Sequence, residues 1–151
     1  MTKNISRAIA VLAAGALSLL AATATMADEW PLASGDYWEV TGIDVKDGGD
    51  FKYAQWLATE WRQNAEFAKS KGWLKDAKIL YNAYPRKGEP DIYLIWIRAD
   101  LPDAAEQEKR GQEFQDWKKT TFEAMVGESG NRAEYREVIT NSLLQEAPFR
   151  K

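Results

Sequence analysis

The sequence predicts an α+β fold with six elements in the order β-α-β-β-α-β and an antiparallel four-stranded sheet. Three observations predict it. Four stretches rich in aromatic and β-branched residues are interspersed with two stretches of helical periodicity. The second and third strand-like stretches are joined by "PRKGE", whose Pro, Gly and charges read as a hairpin loop. The third, "PDIYLIWIRADL", is apolar on both sides, as a central strand covered on both faces must be.

The first segment stands apart from these elements. Lys3 and Arg7 precede "AIAVLAAGALSLLAATATMA", an uncharged Ala-rich run ending in small residues, which is the pattern of a secretory signal peptide. Residues 8–27 are long enough to span a bilayer as an uncleaved anchor, but the small-residue ending and the acidic "DE" that follows favour cleavage after Ala27 or Ala24. The expected organisation is a cleaved leader over 1–27 and one domain over 28–151, in a periplasmic or secreted protein. No Cys follows the leader, which excludes a lipid anchor on that route.

Within the domain, "GDYWEVTGIDVKDGG" reads as the first strand, closed by a Gly-Gly turn. Tyr37, Glu39, Thr41, Ile43 and Val45 fall on one face, and Trp38, Val40, Gly42 and Asp44 on the other. Asp50 is placed to N-cap a helix from Phe51 to Lys71, with Gly72 as its left-handed C-terminal residue. "LKDAKILYNAY" and "PDIYLIWIRADL" are the next two strands. In the latter, Tyr93, Ile95 and Ile97 alternate with Ile92, Leu94 and Trp96. Asp103 and Glu106 have capping-box spacing and open a second helix that reads through to "EAMVG". Its first two turns are nearly all polar and contain Gly111, so that half is expected to project into solvent or fray. After a "GESGN" turn, "AEYREVITNSLLQEA" reads as the last strand.

Composition narrows the chemistry. Removing Lys3 and Arg7 from the 20 basic residues leaves 18 against 23 acidic ones, a net charge of −5 for the mature chain. Such a dispersed, acidic balance disfavours nucleic acid or an anionic membrane as partner, since neither a basic patch nor phosphate neutralisation is available. The chain has no His and no Cys. It therefore lacks the usual general base, the commonest transition-metal ligand, the usual haem ligand and any thiolate, and it must hold together without disulfides. No Ser-His-Asp or Cys-His triad can be assembled. No metal site and no cofactor is expected; "DVKDGGD" is a faint echo of a calcium loop.

The element order is that of the ferredoxin-like split unit, with both helices on one sheet face. Two helices cover one face only, so the two-sided apolar strand predicts a second copy over the other. The order, the "DGGDFKYAQWL" turn into the first helix and the "PDIYLIWIRADL" strand resemble the dimeric α/β-barrel superfamily over residues 35–147. That resemblance implies a homodimer pairing two sheets face to face. The superfamily includes cofactor-free monooxygenases, haem-handling enzymes and isomerases; where members use a histidine, this chain departs from them.

The candidate site lies on the first helix. At about 100° per residue, with Tyr53 at zero, Glu60 falls near 340°, Asn64 near 20° and Lys71 near zero, forming one polar lane. Trp56 and Phe67 flank it on one side, and Leu57, Trp61 and three alanines on the other. One reading is a cleft between helices and sheet that holds a small apolar or aromatic molecule, with Trp56, Trp61, Phe67, Trp96 and Tyr93 as ligand-binding residues. A second is a cofactor-independent isomerase, lyase or oxygenase, with Glu60 as general base in an apolar setting, Asn64 orienting and Tyr53 donating. A third is a non-catalytic interaction domain. The same lane also fits a purely structural seam between two apolar stripes, with Lys71 reaching water. Arg98 and Glu39 are expected to pair across two strands, and the charges of "YPRKGEPD" to be solvated.

Overall fold

The computed structural model describes residues 29–151, of which Pro31–Lys151 form one compact unit. The leader expected over 1–27 lies outside the described residues. The fold is α+β, with an open antiparallel sheet of β1 (Tyr37–Val45), β2 (Asp76–Tyr81), β3 (Ile92–Arg98) and β4 (Arg136–Gln145) in the order β2-β3-β1-β4. The first and third strands are thus the inner ones, and the two-sided apolar pattern of β3 has its physical reason. Helical structure comprises α1 (Asp50–Trp56), a π-helical turn (Leu57–Trp61), α2 (Arg62–Ser70), α3 (Ala104–Lys118) and α4 (Phe122–Asn131). A short 3-10 turn, Arg132–Glu134, leads into β4.

The first helix runs through α1, the π turn and α2 without a break in helical backbone. Its N-cap is Gly49 with no side-chain cap, and Asp50 sits in the first turn. A Cβ at Gly49 would lie 2.5 Å from the Tyr135 carbonyl oxygen, so the chain spends the cap position on close approach to β4. Gly72, at φ +71, ends the helix as expected. Tyr53, Leu57, Trp61 and Ala65 are all buried, each four residues after the last. In a pure α-helix that spacing walks round the surface by about 40° per step. The π turn closes one residue later than an α turn, which sets the walk back and keeps these residues on one face. Thr59 accommodates the distortion, its Oγ1 donating to the Gln55 carbonyl at 2.8 Å.

That face forms the core with the sheet. Tyr53, Leu57 and Trp61 pack on Ile43, Ile92 and Leu94, with Val45, Ala77, Ile79 and Trp96 at its margin. Burying a side chain such as Ile43 stabilises the fold by about 1.5–3 kcal/mol. By strand alternation, Trp38, Val40, Tyr93, Ile95 and Ile97 point to the opposite face.

The second helical region differs from expectation. Lys119 takes a left-handed conformation (φ 53) and ends α3, and Thr121 then caps α4 by accepting from the Ala124 N–H at 3.2 Å. "GESGN" is helical rather than a turn. The polar first half of α3 is regular helix: Asp103 accepts from the Glu106 N–H at 2.8 Å, and Glu106 accepts from Arg110 Nε at 2.8 Å. Residues on both sides of the sheet tie the chain ends together, with Gly35 N–H donating to the Glu146 carbonyl and Arg150 N–H to that of Pro31.

Candidate functional site

The indole of Trp96 organises the space between helices and sheet. Trp96 stands on the helix-facing side of β3, in register with Glu39 of β1 and Ala77 of β2. The small neighbour leaves room for the large one. On one side Trp96 closes a cavity of about 160 Å³ with Glu39, Thr41, Trp61 and Leu94. On the other it lines a cavity of about 260 Å³ under α3 and α4, walled by Trp73, Phe114, Phe122 and Met125, with Arg98, Gln107, Arg110 and Gln115 as polar groups. A third space of about 520 Å³ runs from Glu39 and Arg98 past Leu101 to Leu143. The three share lining residues in pairs, Trp96 between the first and second, Arg98 and Gln107 between the second and third, and Glu39 between the first and third, so they adjoin one another.

Arg98 lines both the second and the third space. Its Nη2 donates to Glu39 Oε2 at 3.0 Å, the expected cross-strand pair, and its guanidinium lies 5.4 Å from the Trp96 ring centre. Packing on an indole face both holds the planar cation and stabilises it. Arg110 approaches from α3, 5.7 Å from the centre of the Trp73 ring, with its side chain only 16% exposed. One guanidinium nitrogen, Nη1, is buried with no hydrogen-bond partner among the described residues. Gln115 is committed locally: its Oε1 accepts from the Phe122 N–H at 3.1 Å and fixes the start of α4. The cleft is therefore aromatic on its walls and rich in donors at its polar end.

The residues expected from the sequence separate into three places. Trp61 and Trp96 line the cleft. Phe67 is buried behind it, stacked on Trp117 at 4.2 Å and edge-on to Trp73 at 5.3 Å and Phe114 at 5.8 Å. It anchors α3 on α2. Tyr93 lies on the opposite face of the sheet, opposite Gly42 and Leu80.

Tyr53 and Trp56 belong to a separate stack at the far end of the core. Their rings lie 5.6 Å apart and nearly parallel, and Arg132 covers the other side of Trp56 at 4.4 Å. Burial pushes the Tyr53 phenol up to about 12, against the opposing pull of Arg136 and Arg132.

Glu60 and Lys71 meet the second helical region instead. Glu60 accepts from Lys118 Nζ at 2.8 Å, and Lys71 donates to Glu113 at 3.0 Å, so two ion pairs tie the first helix to α3. The Oδ1 of Asn64 is buried without a partner among the described residues. The π turn explains the split: it rotates the later residues relative to Tyr53 and takes that phenol out of the polar lane. None of Tyr53, Glu60 and Asn64 lines the three adjoining spaces.

A groove of about 430 Å³ on the β2 side of the first helix, lined by Ala54, Leu57, Ala58, Trp61, Arg62, Ala77, Ile79 and Tyr81, is less suited to a ligand. Its one charged group, Arg62, pairs with Glu66 on the helix surface at 3.8 Å, and Tyr81 at its rim is 69% exposed. Sequence reasoning missed Arg110, Trp73, Phe114, Phe122 and Met125 as lining residues. A signal existed for two of them, since Phe114 and Met125 would share a face if the helix were continuous; for Arg110 there was none, because its aromatic neighbour Trp73 is distant in sequence. No protein-family model, curated protein or solved structure matches the chain.

Proposed function

We propose that this protein binds a small apolar or aromatic molecule in the cleft between its helices and sheet. The observation that carries the reading is the cavity of about 260 Å³ bounded by Trp73, Trp96, Phe114, Phe122 and Met125. Apolar cavities of about 150 Å³ already take a benzene ring, so this one has room for a larger ring system. Ligand sites commonly combine such walls with a few convergent polar groups. Titration with 2-naphthol, followed by tryptophan fluorescence, tests it. Saturable quenching that is lost in Trp96→Leu supports the reading, and the absence of any saturable change refutes it. The catalytic reading built on Glu60 has less geometric support, because the carboxylate is engaged by Lys118 and lies outside the cleft.

We read the fold as ferredoxin-like and propose that two copies pair through the sheet face opposite the helices. Supporting this, that face carries half-buried Trp38, Val40 and Tyr93 around the buried Ile95 and Ile97, and its Leu80 and Leu144 are 48% and 55% exposed. Exposed leucines on both outer strands of that face would be covered by a partner. Light scattering after size exclusion reads the mass directly, and a stable monomer overturns the proposal. Export follows from the leader reading of 1–27; mass spectrometry of periplasmic material tests it through the expected new N-terminus at Asp28 or Thr25.

A further inference from the structure

We propose that the ligand of this cleft is an aromatic carboxylate, with its acid group held by Arg110 and Arg98 and its ring against Trp96. The inference rests on the reading of the cavity as a ligand site and adds the chemical class.

Donor and acceptor balance is the first reason. A guanidinium presents five N–H donors and no acceptor. Arg110 lines the cavity and uses Nε on Glu106, at 2.8 Å, while its Nη1 is buried without a partner among the described residues. Arg98 uses Nη2 on Glu39, at 3.0 Å. Neither Glu106 nor Glu39 lines this cavity, and no carboxylate does. Of the acceptors in the lining, Gln115 Oε1 is already engaged by the Phe122 N–H and Gln107 offers a neutral amide, which leaves room for an anionic acceptor from a ligand.

Charge and shape give the second and third reasons. Glu106 and Glu39 each pair with one of the two cations, so a singly charged group suits the site better than a doubly charged one. Both guanidiniums lie beside indoles, Arg98 at 5.4 Å from the Trp96 ring centre and Arg110 at 5.7 Å from that of Trp73. A planar carboxylate matches that fork in-plane. With side chains 15% and 16% exposed, both cations are sheltered, and sheltered pairs are screened little by salt.

Calorimetric titration of the purified protein with 2-naphthoate and with 2-naphthamide tests the class, because the two probes share a shape and differ in charge. Binding of the acid at least about tenfold tighter than the amide is expected, since charge-assisted bonds to a fork are the stronger kind. Arg110→Gln should remove most of that preference, and Arg110→Lys should restore only part of it. Measurable amide binding by the variant also shows that it keeps its cavity. Equal affinity for acid and amide would overturn the carboxylate inference and leave the cavity reading standing. Binding of neither probe, nor of 2-naphthol, would overturn both.

Discussion

Lys118 donates to Glu60 at 2.8 Å across the seam between the first helix and α3, and Lys71 meets Glu113 at 3.0 Å along the same seam. The two pairs have opposite polarity, one placing its cation on α3 and the other on the first helix, which fixes how these helices slide against each other. Glu60 is 44% exposed and Lys71 42%, so water screens both pairs and each contributes at most about 1 kcal/mol. A double-mutant cycle of Glu60→Gln and Lys118→Met should give a coupling of about 0.5 kcal/mol in low salt, falling towards zero in high salt. Urea denaturation at the two ionic strengths reads it. A coupling that persists undiminished in high salt would mean that the pair is more sheltered than its exposure indicates.

Tyr53 makes stability sensitive to alkali. Its folded-state value is raised from 10.0 to about 12 by burial, so the protein holds the phenol's proton more tightly than the unfolded chain does. Below pH 10 both states are protonated and nothing is lost. Between pH 10 and 12 only the unfolded chain ionises, and stability falls with rising pH by roughly 1.4 kcal/mol per unit, or about 3 kcal/mol in all. Tyr53→Phe removes this component. The difference in unfolding free energy between the wild-type protein and Tyr53→Phe, followed from pH 9 to pH 11.5, should therefore move in favour of the phenylalanine protein; parallel profiles would contradict the burial argument.

Much of the fold was legible because it depends on local pattern. The alternation in "PDIYLIWIRADL" placed β3 inside the sheet, the Pro and Gly of "PRKGE" placed the hairpin, and Asp103 with Glu106 placed the start of α3. Two features were not legible. The π turn at Leu57–Trp61 has no compositional mark: Tyr53, Leu57, Trp61 and Ala65 are equally compatible with a drifting α-helical stripe, and only docking on Ile43 and Ile92 decides. The break at Lys119–Thr121 sits in "KKTT", where a threonine reads equally well as a helical residue and as a cap. The site suffered from both. A lane drawn at constant pitch joined Tyr53 to Glu60, whereas the cleft is assembled from Trp96, Arg98 and Arg110, which are distant in sequence.

Asp44, beside Asp91, is a second proton-linked group. Asp91 accepts the Val45 N–H at 2.9 Å, and Asp44 has its carboxyl raised above the usual range by desolvation and then by the charge and hydrogen bond of Asp91. A raised carboxyl favours the folded state least when it is ionised. The penalty is absent in acid, appears as pH rises through the ordinary aspartate value, and is complete above the raised one. Asp44→Asn can still donate to Asp91 without carrying charge. Thermal melts should show the asparagine protein to be the more stable at pH 7, with the advantage shrinking by pH 3; an advantage of the same size at both would point to a cause other than ionisation.

Gly111 offers a way to separate helix stability from cavity occupancy. It lies within α3 and lines the aromatic cavity, and a Cβ built there meets nothing within 4 Å. Glycine inside a helix costs about 0.5–1 kcal/mol relative to alanine, so Gly111→Ala should raise the unfolding free energy by about that amount. A larger side chain extends further into the open space. Gly111→Leu is expected to fold with near wild-type stability or better, since it fills apolar volume, and to lose binding of 2-naphthol. Paired melts and fluorescence titrations of the two variants check this. Retained binding in a folded Gly111→Leu protein would show that the ligand occupies another of the adjoining spaces, towards Glu39 and Leu143, and would move the site away from Arg110.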